Sequence, residues 1–299
     1  MAREARAVQG QTVLVTGAAR GIGAESARRL AERGANVALV GLEPEELERV
    51  AEQCGERAAA FVADVTDVDA LEGAVAGAAE RFGGIDAVVA NAGIAPTGMV
   101  RSMDPAAFER TIEVNLLGSW RTVRACLPHL IARRGYLLII ASLAVAAQLP
   151  GMAAYSASKA GVEAFANSLR VELAHLGVDV GVGYFSWIAT DMVAGGDAHP
   201  AMGFARARLP GPFGKTYPIS AAGEAVVEGI ERRRRWVVAP PWIRSLLVLR
   251  GVLSPVFDVG GRQSAPEMDE RFARVVDELG PGEASAPVGP GGAAARERA

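Results

Sequence analysis

The feature that most constrains the fold is a regular alternation of short apolar runs with longer segments of helical spacing. Seven runs are mainly apolar and show no alternation of apolar and polar residues: Thr12–Thr16, Asn36–Val40, Ala59–Ala63, Ala87–Ala90, Tyr136–Ala141, Val178–Tyr184 and Trp236–Val238. Such runs are typical of parallel strands that are covered on both faces. Six helical segments lie between them: Gly21–Glu32, Pro44–Gln53, Val68–Arg81, Pro105–Arg133, Ala153–Leu176 and Ala221–Arg232. The alternation predicts an α/β fold with a single, doubly wound, mainly parallel seven-stranded sheet.

This pattern covers most of the chain without a break. Residues 12–238 contain no repeat or linker, so one domain over residues 11–240 is predicted. Residues 1–10 are expected to form an N-terminal tail and residues 241–280 a C-terminal extension. Residues 281–299 are rich in Gly, Pro and Ala, and this composition predicts a disordered tail.

Composition and charge argue against several classes of protein. The chain carries 31 basic and 34 acidic side chains, a net charge of −3, whereas nucleic-acid-binding proteins normally have a basic surplus. No uninterrupted apolar stretch reaches the roughly 20 residues of a membrane-spanning helix, and the first residues lack the apolar core of a signal peptide. Two cysteines, Cys54 and Cys126, are too few for a disulfide framework, so a cytoplasmic location is expected. No metal site is predicted.

A glycine-rich turn follows the first strand. The sequence TGAARGIG at residues 16–23 connects that strand to the first helix. Its glycines let the backbone approach a ligand closely, and the helix N-terminus offers unpaired N–H groups to a pyrophosphate. Within a βαβ unit the turn predicts a Rossmann-type dinucleotide site, although its G-x-x-x-G-x-G spacing differs from the usual G-x-G-x-x-G.

Polar side chains stand where an open α/β sheet binds its ligands. Tyr155 and Lys159 share one helix face, where an ammonium is expected to lower the pKa of a phenol from its ordinary value of ~10. Ser142 follows the fifth predicted strand, and NAG at residues 91–93 follows the fourth. Both therefore lie at the carboxyl edge of the sheet. Asn115 lies in the long helical segment before the fifth strand.

In combination these residues resemble the short-chain dehydrogenase/reductase family. The resemblance covers roughly residues 12–190 and rests on TGAARGIG (16–23), Asp64-Val65, NAG (91–93), Asn115, Ser142 and YSASK (155–159). It implies an NAD(P)-dependent oxidoreductase that transfers a hydride between nicotinamide and a secondary alcohol or ketone. A non-catalytic NAD(P)-binding scaffold with the same fold is the alternative. An extended epimerase or dehydratase would need T-G-x-x-G-x-x-G and a larger C-terminal domain.

The resemblance also implies a role for each residue. Tyr155 would exchange a proton with the substrate oxygen, which Ser142 would hydrogen-bond. Lys159 would lower the pKa of Tyr155 and hold the nicotinamide ribose, and Asn115 would anchor a water that links Lys159 to solvent. Besides Tyr155 and Lys159, cofactor contacts are expected from Gly17, Arg20, Gly21, Ile22, Gly23, Asp64, Val65, Asn91, Ala92, Gly93, Ile188 and Thr190.

The choice between NAD and NADP depends on the end of the second strand. NAD-preferring members usually carry an acidic residue there, but this chain has Gly41 and Leu42, followed by Glu43. Arg20 is suited to meet a 2′-phosphate. We therefore predict NADP, with NAD as the alternative that Glu43 supports.

Residues 189–218 hold the expected substrate region. Apolar side chains among glycines and prolines predict a mobile lid over a hydrophobic alcohol or ketone; the alternative is a segment that packs on its own protein. Family members are usually dimers or tetramers packed through two long helices, which correspond to Pro105–Arg133 and Ala153–Leu176, so a homodimer or homotetramer is implied.

The four arginines Arg232–Arg235 precede Trp236, and Trp242 follows a few residues later. This run fits either a solvated helix end or a membrane-surface patch. If it is a membrane-surface patch, the protein would associate peripherally with a membrane through its C-terminal extension; a solvated helix end is the other interpretation.

Overall fold

The computed structural model describes residues 6–297, in which seven parallel strands form one sheet. The strands are β1 Thr12–Thr16, β2 Asn36–Gly41, β3 Ala58–Val62, β4 Ala87–Ala90, β5 Tyr136–Ile140, β6 Asp179–Phe185 and β7 Trp236–Ala239. Their order across the sheet is β3-β2-β1-β4-β5-β6-β7, and every neighbouring pair is parallel. The predicted fold class is confirmed. The first and last residues of each predicted strand differ from the observed ones by at most one position.

Helices cover both faces of this sheet. The helices are α1 Gly21–Glu32, α2 Pro44–Cys54, α3 Val68–Phe82, α4 Pro105–Ile112, α5 Gly118–Arg133, α6 Ala153–Glu172, α7 Asp191–Ala198, α8 Pro200–Ala207, α9 Ile219–Glu231, α10 Ile243–Leu279, α11 Pro281–Ala284 and α12 Pro290–Glu297. One core cluster joins the sheet to α3, α5, α6 and the start of α10, and the other joins it to α1, α2 and α9. A doubly wound arrangement results. Within residues 6–297 no helix is both long and apolar enough to cross a membrane.

The sheet order reverses beside β1, which pairs with β2 on one side and β4 on the other. Ligands of open α/β sheets bind at such a switch point, outside the carboxyl ends of the strands. The glycine turn after β1, the NAG segment after β4 and Ser142 after β5 all begin at this edge. The topology therefore gathers the motifs that lie far apart in sequence.

The two ends of the chain differ from the sequence-based expectation. In the N-terminal segment Val8 is buried in the core, and the Arg6 N–H donates to the Glu231 carbonyl at 2.8 Å. Residues 281–297, which we term the C-terminal tail, form α11 and α12 instead of a disordered segment. Ala295 of α12 packs against Val65 and Ile94. The composition of the tail does not predict this packing, because a few small side chains are enough to hold a helix against an apolar surface that other segments provide. Residues 1–5 and 298–299 of the predicted tails lie outside the described residues.

Candidate active site

The turn after β1 has the shape of an anion-binding site. Gly17 and Gly21 have φ angles of +63° and +56°, a conformation that L side chains rarely adopt. A Cβ on Gly23 would lie 2.2 Å from the carbonyl oxygen of Gly17. Arg20 is the N-cap of α1 and makes no side-chain cap, so the first N–H groups of this helix remain available to a phosphate. The turn therefore fits the pyrophosphate of a dinucleotide.

Asn91 braces this turn from the neighbouring strand. Its Nδ2 donates to the carbonyl oxygens of Thr16 and Gly17 at 3.0 and 3.2 Å. Its backbone N–H donates to the Thr16 hydroxyl at 3.1 Å. These bonds use the Nδ2 group within the protein, so Asn91 holds the loop after β4 to the glycine turn besides lining the cleft.

A cleft opens in front of the turn. Most of the predicted cofactor residues line it: Gly17, Arg20, Gly21, Ile22, Asp64, Val65, Asn91, Ala92, Gly93 and Thr190. Gly23, Tyr155, Lys159 and Ile188 are not among the lining residues. Gly23 lies against Gly17 beneath the turn, and Ile188 is buried in the core and bridges to Tyr217. Sequence patterns missed Arg110 and the tail residues on its wall, because each comes from a segment far from the motifs.

The charged side chains of the cleft are paired with one another. The Arg20 guanidinium binds both carboxylate oxygens of Glu43 and lies 3.3 Å from an oxygen of Asp191. The hydrogen bond to Glu43 raises the pKa of Arg20. Asp64 accepts a hydrogen bond from the Thr66 N–H at 2.8 Å and pairs with Arg110 at 3.2 Å. Arg20 is therefore not a free cation waiting for an anion.

Tyr155 and Ser142 form a hydrogen-bonding pair at the carboxyl end of β5. Ser142 caps the short turn after the strand, where its Oγ accepts from the Ala144 N–H at 3.2 Å. Burial raises the pKa of Tyr155, and the hydrogen bond with Ser142 offsets part of that rise. The Lys159 ammonium lies 5.8 Å from the centre of the Tyr155 ring. The lowering of the Tyr155 pKa by Lys159 stays a prediction.

Lys159 and Asn115 meet on either side of Gly93. A Cβ on Gly93 would lie 3.1 Å from Asn115 Oδ1 and 3.4 Å from Lys159 Nζ. Lys159 Nζ donates to the carbonyl of Ile140 at 2.8 Å. Asn115 is fully buried within a π-helical turn at the end of α4, and its amide bonds both backbone groups of Ile94 at 2.8 and 3.0 Å. Asn115 therefore fixes the loop that carries Gly93; its predicted role as a water anchor stays a prediction.

The buried ammonium makes stability depend on pH. Burial lowers the pKa of Lys159 to about 8 from 10.5. The unfolded chain then binds this proton more tightly, so the folded state is penalised below about pH 8, and the penalty disappears as pH rises towards about 10.5. We expect Lys159→Met to be most stabilising relative to wild type near pH 7 and least so near pH 10.

Urea unfolding at the two pH values measures this difference. The exposed Lys215, replaced in the same way, is the matched control and should show no such trend. A pH-independent difference between Lys159→Met and wild type would contradict a titrating buried ammonium.

An apolar cluster lies beside the start of α6. Its members, which we term the methionine cluster, are Met99, Met152, Met202, Met268 and Phe272. Met152 directly precedes α6, three residues before Tyr155. A Cβ on Gly151 would lie 2.5 Å from the Phe272 ring and 3.5 Å from the Met202 sulfur. The cluster thus lies close in the chain to the Tyr155 helix.

The predicted lid region is folded in this structure. Residues 191–207 form α7 and α8, and α8 contributes Met202 and Ala205 to the core cluster shared with α10. The Arg206 guanidinium, itself buried, pairs with Asp197 and the Thr216 hydroxyl. The packing follows the alternative in which this segment rests on its own protein.

The C-terminal tail occupies part of the cleft. Val288 donates its N–H to the Ala95 carbonyl at 3.3 Å, and Arg110 donates to the Ala295 carbonyl at 3.3 Å. Tail residues line the cleft, and the remaining cavity is about 190 Å³. Small-molecule and cofactor pockets usually measure about 300–1,000 Å³. We therefore expect dinucleotide binding to displace the tail.

Deleting residues 281–299 is accordingly expected to strengthen dinucleotide binding, with Kd lower on the order of fivefold, because no tail remains to be displaced. Ala295→Gln should act in the same direction by disturbing the contact of α12 with Val65 and Ile94. Isothermal titration calorimetry with NAD measures both variants. An unchanged or weaker affinity in both would contradict the competition.

Comparison with known proteins agrees with the geometry. The family model for short chain dehydrogenase matches residues 11–200, which include the glycine turn, Asn115, Ser142, Tyr155 and Lys159. The chain belongs to the short-chain dehydrogenase family. It is an NAD(P)-dependent oxidoreductase that acts on CH–OH groups.

Two relatives named as dehydrogenases are similar to much of this chain. Trans-4-hydroxycyclohexanecarboxylate dehydrogenase of Sinomonas cyclohexanicum is 35% identical over 204 residues, which cover 65% of this chain and 79% of the relative. The 2,3-dihydro-2,3-dihydroxybenzoate dehydrogenase of Bacillus subtilis (strain 168) is 35% identical over 178 residues, 58% of this chain and 68% of the relative.

Solved structures of short-chain dehydrogenases have the same fold. The 3-ketoacyl-(acyl-carrier-protein) reductase from Brucella melitensis complexed with NADH superposes with a TM-score of 0.69 and 26% identity, covering 78% of this chain and 97% of that one. Levodione reductase has a TM-score of 0.69 and 26% identity, covering 77% and 95%. About a fifth of this chain lies outside these alignments.

Proposed function

We propose that the chain interconverts a hydrophobic, cyclic secondary alcohol and its ketone. The observation that carries this proposal is that the segment directly before Tyr155 packs on the methionine cluster: Met152 belongs to the cluster, and Gly151 lies against Phe272. Methionine side chains adapt to irregular apolar surfaces, which suits an alicyclic ring. The names of two relatives support the choice, because hydroxycyclohexanecarboxylate and dihydrodihydroxybenzoate are ring alcohols.

The reaction divides between the coenzyme and the side chains. A nicotinamide supplies the hydride acceptor or donor when bound. Tyr155 takes the hydroxyl proton during oxidation and returns it during reduction, and Ser142 hydrogen-bonds the substrate oxygen as its charge changes. Gly17, Gly21 and the α1 N-terminus would hold the pyrophosphate. Lys159, which now donates to Ile140, would turn to the ribose hydroxyls and add positive charge near Tyr155.

A substrate panel tests this proposal. Cyclohexanol, cyclohexanone and their 4-carboxylates are compared with small polyols, and reduced nicotinamide is followed by absorbance. We expect kcat/KM for the ring compounds to exceed that for polyols by at least about tenfold, since each buried apolar carbon adds transition-state binding. Activity confined to polyols would contradict a hydrophobic substrate.

We infer that NAD is the preferred coenzyme, which departs from the sequence-based prediction of NADP. The ion pair with Glu43 weakens the case that Arg20 binds a 2′-phosphate. Such a phosphate would have to displace a carboxylate that binds Arg20 through both oxygens. Asp191 adds a second negative charge at 3.3 Å. Unphosphorylated ribose hydroxyls can instead donate hydrogen bonds to Glu43.

Glu43→Gln is therefore expected to shift the ratio of kcat/KM for NADP over NAD upwards by about tenfold, because it removes a negative charge and frees Arg20. The exposed Glu45, changed to Gln, is the control for charge alone. A wild-type preference for NADP, unaltered by Glu43→Gln, would contradict the inference.

The assembly and location are also part of the proposal. Leu117, Trp120 and Val171 are exposed on the segments that the family resemblance assigns to subunit packing, which supports a homodimer or homotetramer. Cys54 and Cys126 are both free thiols, which supports a reducing, cytoplasmic location.

A further inference from the structure

One side of α10 is apolar yet exposed. Five side chains project from residues 248–259 of this helix: Val248 (67% exposed), Leu249 (50%), Val252 (77%), Val256 (65%) and Val259 (55%). At 3.6 residues per turn they fall within an arc of about 100°, so they form one continuous stripe. The stripe is about 17 Å long. We term these five residues the α10 stripe.

The opposite side of α10 explains why the stripe is exposed. Ile243, Leu246 and Leu247 are buried in the main core, and Leu253 and Phe257 pack against that core. Arg250 pairs with Glu163 of α6 at 2.8 Å. The helix is thus attached to the domain by one side, and the stripe faces away from it.

Arginines gather at the beginning of the same helix. A groove of about 640 Å³ at the amino ends of β6 and β7 is lined by Arg170, Arg232, Arg233, Arg234, Arg235 and Arg244. It lies at the opposite end of the sheet from the cofactor cleft. We term these six residues the arginine groove.

Several of these charges lack a carboxylate partner. Arg233 pairs with Asp179 at 3.0 Å, and Arg234 pairs with Glu228 at 2.8 Å. Within residues 6–297, the ion pairs include none from Arg170, Arg232, Arg235 or Arg244. The groove therefore keeps a net positive charge.

The α10 stripe follows the arginine groove in the chain and has arginines at both of its ends. Arg244 belongs to the groove and lies one turn before Val248, and the exposed Arg262 lies just after Val259. Asp258 is the one acidic residue between Ala239 and Arg262. An apolar helix side with cations at its edges is the pattern of helices that lie in the headgroup region of a bilayer. Clustered Arg residues add attraction to anionic lipids.

We propose that the α10 stripe and the arginine groove bind an anionic membrane surface, with the helix lying parallel to the bilayer plane. The valines and Leu249 enter the headgroup–acyl boundary, and the arginines bind lipid phosphates. The stripe and the groove lie away from the cofactor cleft, so membrane binding leaves the cleft open. The protein would then act at a lipid surface, where hydrophobic alcohols accumulate.

Vesicle co-sedimentation of the full chain tests the proposal. We expect binding to vesicles of equal parts phosphatidylcholine and phosphatidylglycerol, with weaker binding to phosphatidylcholine alone and at high salt. The double variant Val252→Glu/Val256→Glu places two carboxylates in the stripe, so its partition coefficient for the vesicles should be lower than that of the wild type by at least about tenfold. Arg232→Gln, Arg235→Gln and Arg244→Gln together should remove the preference for phosphatidylglycerol.

A matched pair of exposed valines provides the control. Val68→Glu with Val100→Glu adds the same charge outside the α10 stripe and should lower partition much less; circular dichroism checks that all variants fold. Failure of the wild type to sediment with anionic vesicles would overturn the proposal, as would equal losses in both valine pairs. Loss of self-association instead of vesicle binding in the Val252/Val256 variant would also overturn it, and would assign the stripe to a second copy of the chain.

Discussion

Tyr155→Phe is expected to lower kcat on the order of 10³-fold while the Kd for the nicotinamide coenzyme changes little. The substitution removes only the hydroxyl, so the ring keeps its place on α6. What is lost is the group that exchanges a proton with the substrate oxygen, and with it the hydrogen-bonding partner of Ser142. Steady-state kinetics with a ring ketone and titration calorimetry with NAD separate the two effects.

The control for this experiment is another tyrosine that forms a hydrogen bond away from the site. Tyr184 donates its hydroxyl to Glu163 at 2.7 Å. Tyr184→Phe removes one hydroxyl too, and should cost about 1 kcal/mol of stability with kcat close to wild type. If Tyr155→Phe kept a kcat similar to Tyr184→Phe, Tyr155 would not be the proton-exchanging group.

Gly23→Ala is expected to impair both folding and coenzyme binding. Its Cβ would lie 2.2 Å from the Gly17 carbonyl oxygen and 2.8 Å from Asn91 Nδ2, so α1 has to move away from the turn. Overpacking of this kind costs about 1–3 kcal/mol. The displaced helix N-terminus and the broken brace from Asn91 should also weaken NAD binding by at least about tenfold.

Gly73→Ala is the matched control, because Gly73 lies on the exposed side of α3, within its length, and a Cβ there would meet nothing within 4 Å. That change should stabilise the protein by about 0.5–1 kcal/mol through the ordinary helix preference for alanine. In thermal unfolding, we expect the melting temperature to fall for Gly23→Ala and to rise for Gly73→Ala. In NAD titration, we expect only Gly23→Ala to bind more weakly. Equal effects at both positions would show that the close approach at Gly23 has no importance.

The backbone architecture is the part of this protein that sequence patterns predict best. Continuous apolar runs such as Thr12–Thr16 and Ala87–Ala90 can be buried on both faces only in a parallel sheet, so their location followed from local composition. The order of the strands then placed the glycine turn, the NAG segment and Ser142 at one edge. Periodicity also predicted the shared face of Tyr155 and Lys159.

The features that patterns missed depend on contacts between distant segments. Arg20 and Glu43 are 23 positions apart, and only the folded turn shows that they neutralise one another. The pKa of Tyr155 depends on how deeply α6 is buried, which a spacing of four residues does not reveal. Ala295 of the tail resembles any residue of a disordered segment until Val65 and Ile94 are known to form its wall.

The central claim is that a substrate carbon and a nicotinamide exchange hydride beside the hydroxyl of Tyr155. The most direct test uses cyclohexanol deuterated at the carbinol carbon, with NAD and catalytic amounts of the full chain, followed by mass spectrometry of the reduced coenzyme. The account predicts deuterium in the reduced nicotinamide for the wild type and almost none for Tyr155→Phe at equal coenzyme occupancy. Reduced coenzyme that lacks deuterium, or equal deuterium transfer by both proteins, would contradict it.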